Sequence, residues 1–154
     1  MSGFSAILLG SAAGGGVPQW NCRCPVCRLA WEGDPRVTWR DQASLAVTVD
    51  GENWVLVDAP PDCRAQILRT PALRPRSGVR SSPLRAVILT GGDIDRIGGL
   101  LHLRERQAFT IHAPPEVLGE IEANAVFRVL DPALVRREPL RTGEALEILP
   151  GLVV

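Results

Sequence analysis

Arg85-Ala-Val-Ile-Leu-Thr90-Gly91-Gly92-Asp93-Ile94-Asp95-Arg96-Ile97-Gly98-Gly99-Leu100 decides the fold class of this 154-residue chain. Arg85 to Thr90 is a short, continuous apolar run and reads as a buried strand. Gly91-Gly92-Asp93 reads as a turn, and Ile94 to Arg106 as an amphipathic helix. A buried strand that passes at once into a helix is the unit of α/β proteins. The flanking sequence repeats the alternation. Phe4 to Leu9 suits a buried first strand, and Pro61 to Leu68 a short helix with proline in its first turn. Thr70 to Pro83 reads as loop, Phe109 to His112 as a strand, and Pro115 to Ala123 as a helix with Glu116 near its positive end. Ala43 to Val49 and Trp54 to Val57 bracket Asp50-Gly51-Glu52-Asn53, a hairpin signal because Asp-Gly accepts the positive φ of a tight turn. A hairpin joined to βα units predicts a mixed sheet flanked by helices.

Ala145 to Leu149 reads as a strand, Pro150-Gly151 as a turn, and Leu152-Val153-Val154 as the start of another strand. A chain that stops inside an apolar run is expected to be the N-terminal part of a longer domain, with residues 1–154 forming one unit.

The composition narrows the function. Seventeen basic and 17 acidic residues give a formal net charge of zero, which argues against a global electrostatic grip on nucleic acid. No apolar run approaches the roughly 20 residues of a membrane helix. Met1-Ser2-Gly3-Phe4 lacks the basic flank of a secretory signal, so a cytoplasmic protein is expected. Every basic residue is arginine, which excludes a Schiff-base lysine and a P-loop lysine. Gly14-Gly15-Gly16 does not fit the spacing of a dinucleotide loop and opens no helix.

Cys22-Arg23-Cys24-Pro25-Val26-Cys27 crowds three thiols into six residues. Three thiolates on a tight loop suit one tetrahedral zinc ion. A disulfide, a redox pair and free thiols are the alternatives, and a redox Cys-x-x-Cys here is expected on an irregular loop and not at a helix start. A fourth ligand is expected beyond Val154, since Cys63, His102 and His112 each read more simply as packed side chains. Asp93 and Asp95 lie where a buried strand runs into a helix, a place where α/β sheets hold ligands. Asp93 also reads as a helix cap.

Ser11-Ala-Ala-Gly-Gly-Gly-Val-Pro-Gln-Trp-Asn-Cys-Arg-Cys-Pro-Val-Cys27 strongly resembles the signature of the coenzyme PQQ synthesis protein B family. Gln42-Ala-Ser-Leu-Ala-Val47, Asn53-Trp-Val-Leu56, Pro61-Asp62, Arg64-Ala-Gln66 and Gly99-Leu-Leu-His-Leu-Arg-Glu105 extend the match. The resemblance implies a metallo-β-lactamase-like αββα sandwich, of which this chain holds about the N-terminal half. It implies structural zinc on Cys22, Cys24 and Cys27. Hydrolases of that fold carry His-x-His-x-Asp-His in the turn after the strand ending at Thr90, and the PQQ family keeps a thinner version ending in Asp-His. Here Gly91 and Asp93 stand at the first two histidine positions, Asp95 keeps the aspartate, and Arg96 replaces the last histidine. Arginine does not ligate a cation at ordinary pH.

The resemblance therefore implies a role in pyrroloquinoline quinone (PQQ) biosynthesis on a tyrosine-containing precursor derived from the peptide PqqA, alongside other proteins of that pathway. The role is metal-dependent hydroxylation, with Asp93 and Asp95 as ligands of a redox-active iron, or transport of PQQ or its precursor toward the periplasm. Alternatives are a phosphodiesterase-like metallo-hydrolase and a non-catalytic zinc-stabilised binding module. For the last, the arginines at 64, 69, 74, 76, 80 and 85 offer a surface for an acidic partner.

Overall fold

The computed structural model describes residues 3–154. In chain order the elements are β1 (Ser5–Gly10), α1 (Pro25–Trp31), β2 (Ser44–Thr48), β3 (Trp54–Val57), α2 (Cys63–Arg69), β4 (Leu84–Ile88), α3 (Ile94–Ile97), β5 (Phe109–Ala113), α4 (Pro115–Ala123), β6 (Val135–Pro139), β7 (Glu147–Leu149) and β8 (Leu152–Val153). Single 3₁₀ segments cover Pro71–Leu73, Gly98–Leu103 and Ala125–Val129.

β1 to β6 form one sheet in sequence order. β1, β2 and β3 pair antiparallel, and β3 to β6 pair parallel. The hairpin between β2 and β3 closes on Asp50, whose Oδ1 accepts the Glu52 and Asn53 N–H groups at 2.8 Å each. Gly51 supplies the positive φ of that turn, at 74°. Because strand side chains alternate, the sheet has two distinct faces. Leu56, Val87 and Ile111 point to the helices and pack with Leu73, Leu100 and Ile121. Val47, Val55, Ala86 and Ile88 point the other way and meet Leu152, with Ile148 and Leu149 beside it. The β7–β8 hairpin thus lies on the second face and begins a second layer, as a sandwich with helices outside requires.

Four expectations change. β1 is an edge strand and not a buried one. Ile7 and Leu9 reach the core, while Phe4 and Leu8 stay 65% and 67% exposed. The helix expected over Ile94 to Arg106 is α-helical only to Ile97 and then tightens into the 3₁₀ segment. Close packing is the cause, because a Cβ on Gly99 would come within 2.1 Å of the Pro60 carbonyl oxygen and 2.6 Å of Cys63 Cβ. The Thr70 to Pro83 loop contains the short Pro71–Leu73 turn of 3₁₀ helix. β6 was not expected, since Val135-Arg-Arg-Glu-Pro139 has little apolar content.

Candidate functional site

Two groups of chemically active side chains stand out, and both lie on loops that leave the sheet. The first is the cysteine cluster. The loop after β1 is pinned by a pair of backbone hydrogen bonds between Val17 and Arg40, both 2.8 Å. It delivers Cys22, and Cys24 then caps α1 while Cys27 sits in its first turn. The Cys-x-x-Cys pair therefore opens a helix, contrary to the expectation of an irregular loop. The reason is local: Pro25 is pre-shaped for a first helical turn, and the Cys24 sulfur accepts the Cys27 N–H at 3.5 Å.

The three Sγ atoms lie within 4.8 Å of one another, and among the described residues no other group of histidine, cysteine and acidic side chains converges this way. Tetrahedral zinc with bonds of about 2.3 Å needs sulfurs about 3.8 Å apart, a spacing that three sulfurs within 4.8 Å of one another suit. The Cys27 N–H, followed by the Cys22 thiol, draws the Cys24 thiol below its ordinary pKa. At Cys27 a hydrogen bond with the Gln19 backbone lowers the pKa, but burial and the Cys24 and Cys22 thiols outweigh it and leave the thiol raised. Two tryptophans brace the loop. Trp31 Nε1 donates to the Cys22 carbonyl at 3.2 Å, Trp39 Nε1 donates to the Ala30 carbonyl at 2.9 Å, and the two rings meet edge to face at 5.4 Å. Cys63 is away from the cluster, buried under Gly99, with burial pushing its thiol up to about 12. His112 is buried on the second sheet face, and His102 is exposed on the Gly98–Leu103 segment.

The second group is the turn after β4. Asp93 does occupy the cap position of α3, yet its carboxylate makes no capping hydrogen bond. It lies 3.6 Å from Arg96 Nε instead. Asp95 points toward the glycine loop, where a Cβ on Gly14 would fall 2.9 Å from Asp95 Oδ2. Gln42 holds that loop in place by donating from Nε2 to the Gly14 carbonyl at 2.5 Å. Its own backbone N–H donates to Asp62 Oδ2 at 3.0 Å.

One residue of this group was missed in the sequence. Asp58, just past β3, adopts φ 60° and receives the Thr90 N–H and hydroxyl on its carboxylate at 2.8 Å each. Arg96 Nη1 stands 3.7 Å from Asp58 Oδ2 and donates to the Thr90 hydroxyl. The only sequence signal was an acidic residue between an apolar run and Ala59-Pro60-Pro61. A redox-active cation does not fit the turn as it stands. Asp93 and Asp95 do not converge with a third donor, and a guanidinium lies between the Asp93 and Asp58 carboxylates. The arginine stretch is largely consumed internally. Arg69 pairs with Asp41, Arg76 with Glu52 at 2.5 Å, and Arg80 with Glu105 at 3.8 Å. Arg85 donates to Asn53 Oδ1 at 2.7 Å.

No helix is long and apolar enough to cross a membrane among the described residues. Comparison with known proteins bears on the family and the fold. The chain is 57% identical over 151 residues to coenzyme PQQ synthesis protein B of Methylobacterium nodulans, covering 98% of this chain and 50% of the relative. The namesake protein of Gluconacetobacter diazotrophicus is 56% identical over 134 residues, covering 87% and 44%. The chain thus spans about half the length of the curated relatives it matches. The crystal structure of Zn²⁺-bound PqqB from Methylobacterium extorquens superposes with a TM-score of 0.93 at 52% identity, over 96% of this chain and 53% of that one. A diphosphatase of the PhnP family superposes at 0.71 with 27% identity, over 94% and 52%. The metallo-β-lactamase architecture implied by the first loop is therefore the architecture observed. Residues 53–154 match the family described as the beta-lactamase superfamily domain, and the chain belongs to that family.

Proposed function

We propose that this chain serves PQQ biosynthesis by holding a PqqA-derived, tyrosine-containing precursor, on a scaffold whose first loop is fixed by structural zinc. The observation that carries this is the cysteine cluster, three sulfurs already within 4.8 Å in a chain 57% identical to a PQQ synthesis protein B. Cys22, Cys24 and Cys27 are the residues that would hold the metal. Bound there, zinc supplies a crosslink between the loop after β1 and the first turn of α1, and no chemistry of its own. The precursor-facing surface is the carboxyl end of β3 and β4, where Asp93 is exposed and Asp58, Asp95 and Arg96 are partly so.

Between carriage and metal-dependent hydroxylation, the turn supports carriage. It offers carboxylates and a guanidinium but no histidine, and a tightly held redox metal needs further ligands. The same lack weighs against hydrolysis, which needs a cation to lower the pKa of water. Other proteins of the pathway are the proposed source and recipient of the precursor.

Two measurements test the proposal. Disrupting the gene in its host should abolish PQQ accumulation, and the native gene but not a Cys27→Ser variant should restore it. Unchanged PQQ after disruption overturns the pathway assignment. Separately, the purified chain should carry about one zinc that protects Cys22, Cys24 and Cys27 from alkylation together. Cys63 should resist labelling with or without metal, because it is buried. Rapid labelling of the three thiols in zinc-saturated protein would remove the metal from the proposal.

A further inference from the structure

We infer that Arg96 is the resident cation of the turn, a built-in guanidinium that closes the Asp58 and Asp93 carboxylates on either side of it to divalent metal. This goes beyond the proposed function and does not depend on zinc at the cysteines. Arg96 is fixed at both ends. Its carbonyl accepts the Ala59 N–H at 2.8 Å, which ties its backbone to the segment after β3. Its side chain lies over Gly91, where a Cβ would stand 3.0 Å from Arg96 Cδ. From there Nε faces Asp93 Oδ2 at 3.6 Å and Nη1 faces Asp58 Oδ2 at 3.7 Å. The donation from Nη1 to the Thr90 hydroxyl completes the fastening.

Two consequences follow for a metal ion. The guanidinium sits between two carboxylates that a cation would have to bridge, so it keeps them from closing on a common centre. It also places a permanent positive charge within a few ångströms of any ion that approached, and arginine does not lose that charge at accessible pH. Asp58 is further committed, since its carboxylate already accepts two hydrogen bonds from Thr90.

Manganese(II) is the probe that tests this, because it prefers oxygen ligands and competes poorly for the cysteine thiolates. Its binding to the whole chain is followed by the spin-resonance signal of the free ion, with thermal melting to verify folding. Arg96→Gln and Arg96→Met should each bind manganese about tenfold or more tighter than the native chain, because the blocking charge is gone. Arg96→Lys keeps the charge and should stay within about twofold of native. Adding Asp93→Asn to Arg96→Gln should erase the gain and so locate it at the turn. Native-like affinity in both neutral variants overturns the inference, as does an equal gain in the lysine variant. Should the glutamine variant fail to fold, the methionine variant decides.

Discussion

Asp58 carries an awkward backbone for a purpose visible in its partners. At φ 60° it occupies the left-handed region that aspartate tolerates better than branched residues. Its carboxylate then faces back across the strand ends to fix Thr90 at the head of the turn. Replacing it with alanine keeps the unfavourable backbone and removes the charged acceptor of the Thr90 hydrogen bonds. Asp58→Ala should therefore lower stability by about 2 kcal/mol or more in urea denaturation. Asp58→Asn retains an acceptor and the same backbone tolerance, so about half that loss is expected. Equal stability of Asp58→Ala and the native chain would mean that Thr90 is held by the backbone alone. Residues of this kind are hard to see in a sequence, because nothing local marks a lone aspartate as special. The cysteines are the opposite case. Their closeness along the chain forces closeness in space, so the cluster was legible before any fold was known. Asp93 lies between the two. Its place at a helix start and the charge of Arg96 three residues on were legible, but the lack of a capping hydrogen bond was not.

At the scale of elements, local pattern gave the β2–β3 hairpin, β4 and α4 almost to the residue, because each satisfies its period within its own length. It overextended the helix after the turn, since the demand that broke it comes from Pro60 and Cys63, distant in sequence. It passed over β6, whose identity comes from pairing with β5 and not from apolar content. That pairing sets His112 of β5 opposite Glu138 of β6. His112 Nδ1 is buried without a hydrogen bond and stands 3.8 Å from Glu138 Oε2. Burial lowers the His112 pKa, opposed by the Glu138 carboxylate and assisted by Arg136. The sign of the pH effect follows from that direction. A folded pKa below the unfolded value of about 6.5 means that protons prefer the unfolded chain, so stability falls as pH drops from about 6.5 through the folded pKa. Above pH 6.5 the group is neutral in both states and contributes nothing. His112→Gln should flatten this limb of a stability-versus-pH curve measured by denaturant titration. A limb of unchanged slope in the variant would assign it to other groups.

On the scale of the whole molecule, a mixed sheet flanked by helices was readable from the order of strands and helices. How far the second face is covered was not, because that depends on where the short β7–β8 hairpin docks. It docks over the middle of the sheet, leaving Val55 and Ala86 with 0% and 1% exposure. Shelter ends at β1. There Leu8, opposite Leu45 on the second face, is 67% exposed, and Phe4 is 65% exposed. β1 is also a terminal strand of the six-stranded sheet, with β2 as its single neighbour. An apolar face combined with an open strand edge is a template for pairing with another chain. The purified 154-residue chain should therefore self-associate as its concentration rises, with sedimentation velocity showing species larger than 16.6 kDa. Leu8→Lys sets a charge on that face and should shift the distribution toward monomer without changing the zinc content, since the cysteine loop is anchored separately at Val17 and Arg40. Lysine on an edge strand is how natural sheets discourage such pairing. A native chain that stays monomeric at every concentration would mean that two exposed side chains at one sheet edge are too small a patch to drive association. Association that persists in the lysine variant would move the contact to the exposed tryptophans around the cysteine loop, Trp20, Trp31 and Trp39, which are the largest apolar side chains open to solvent among the described residues.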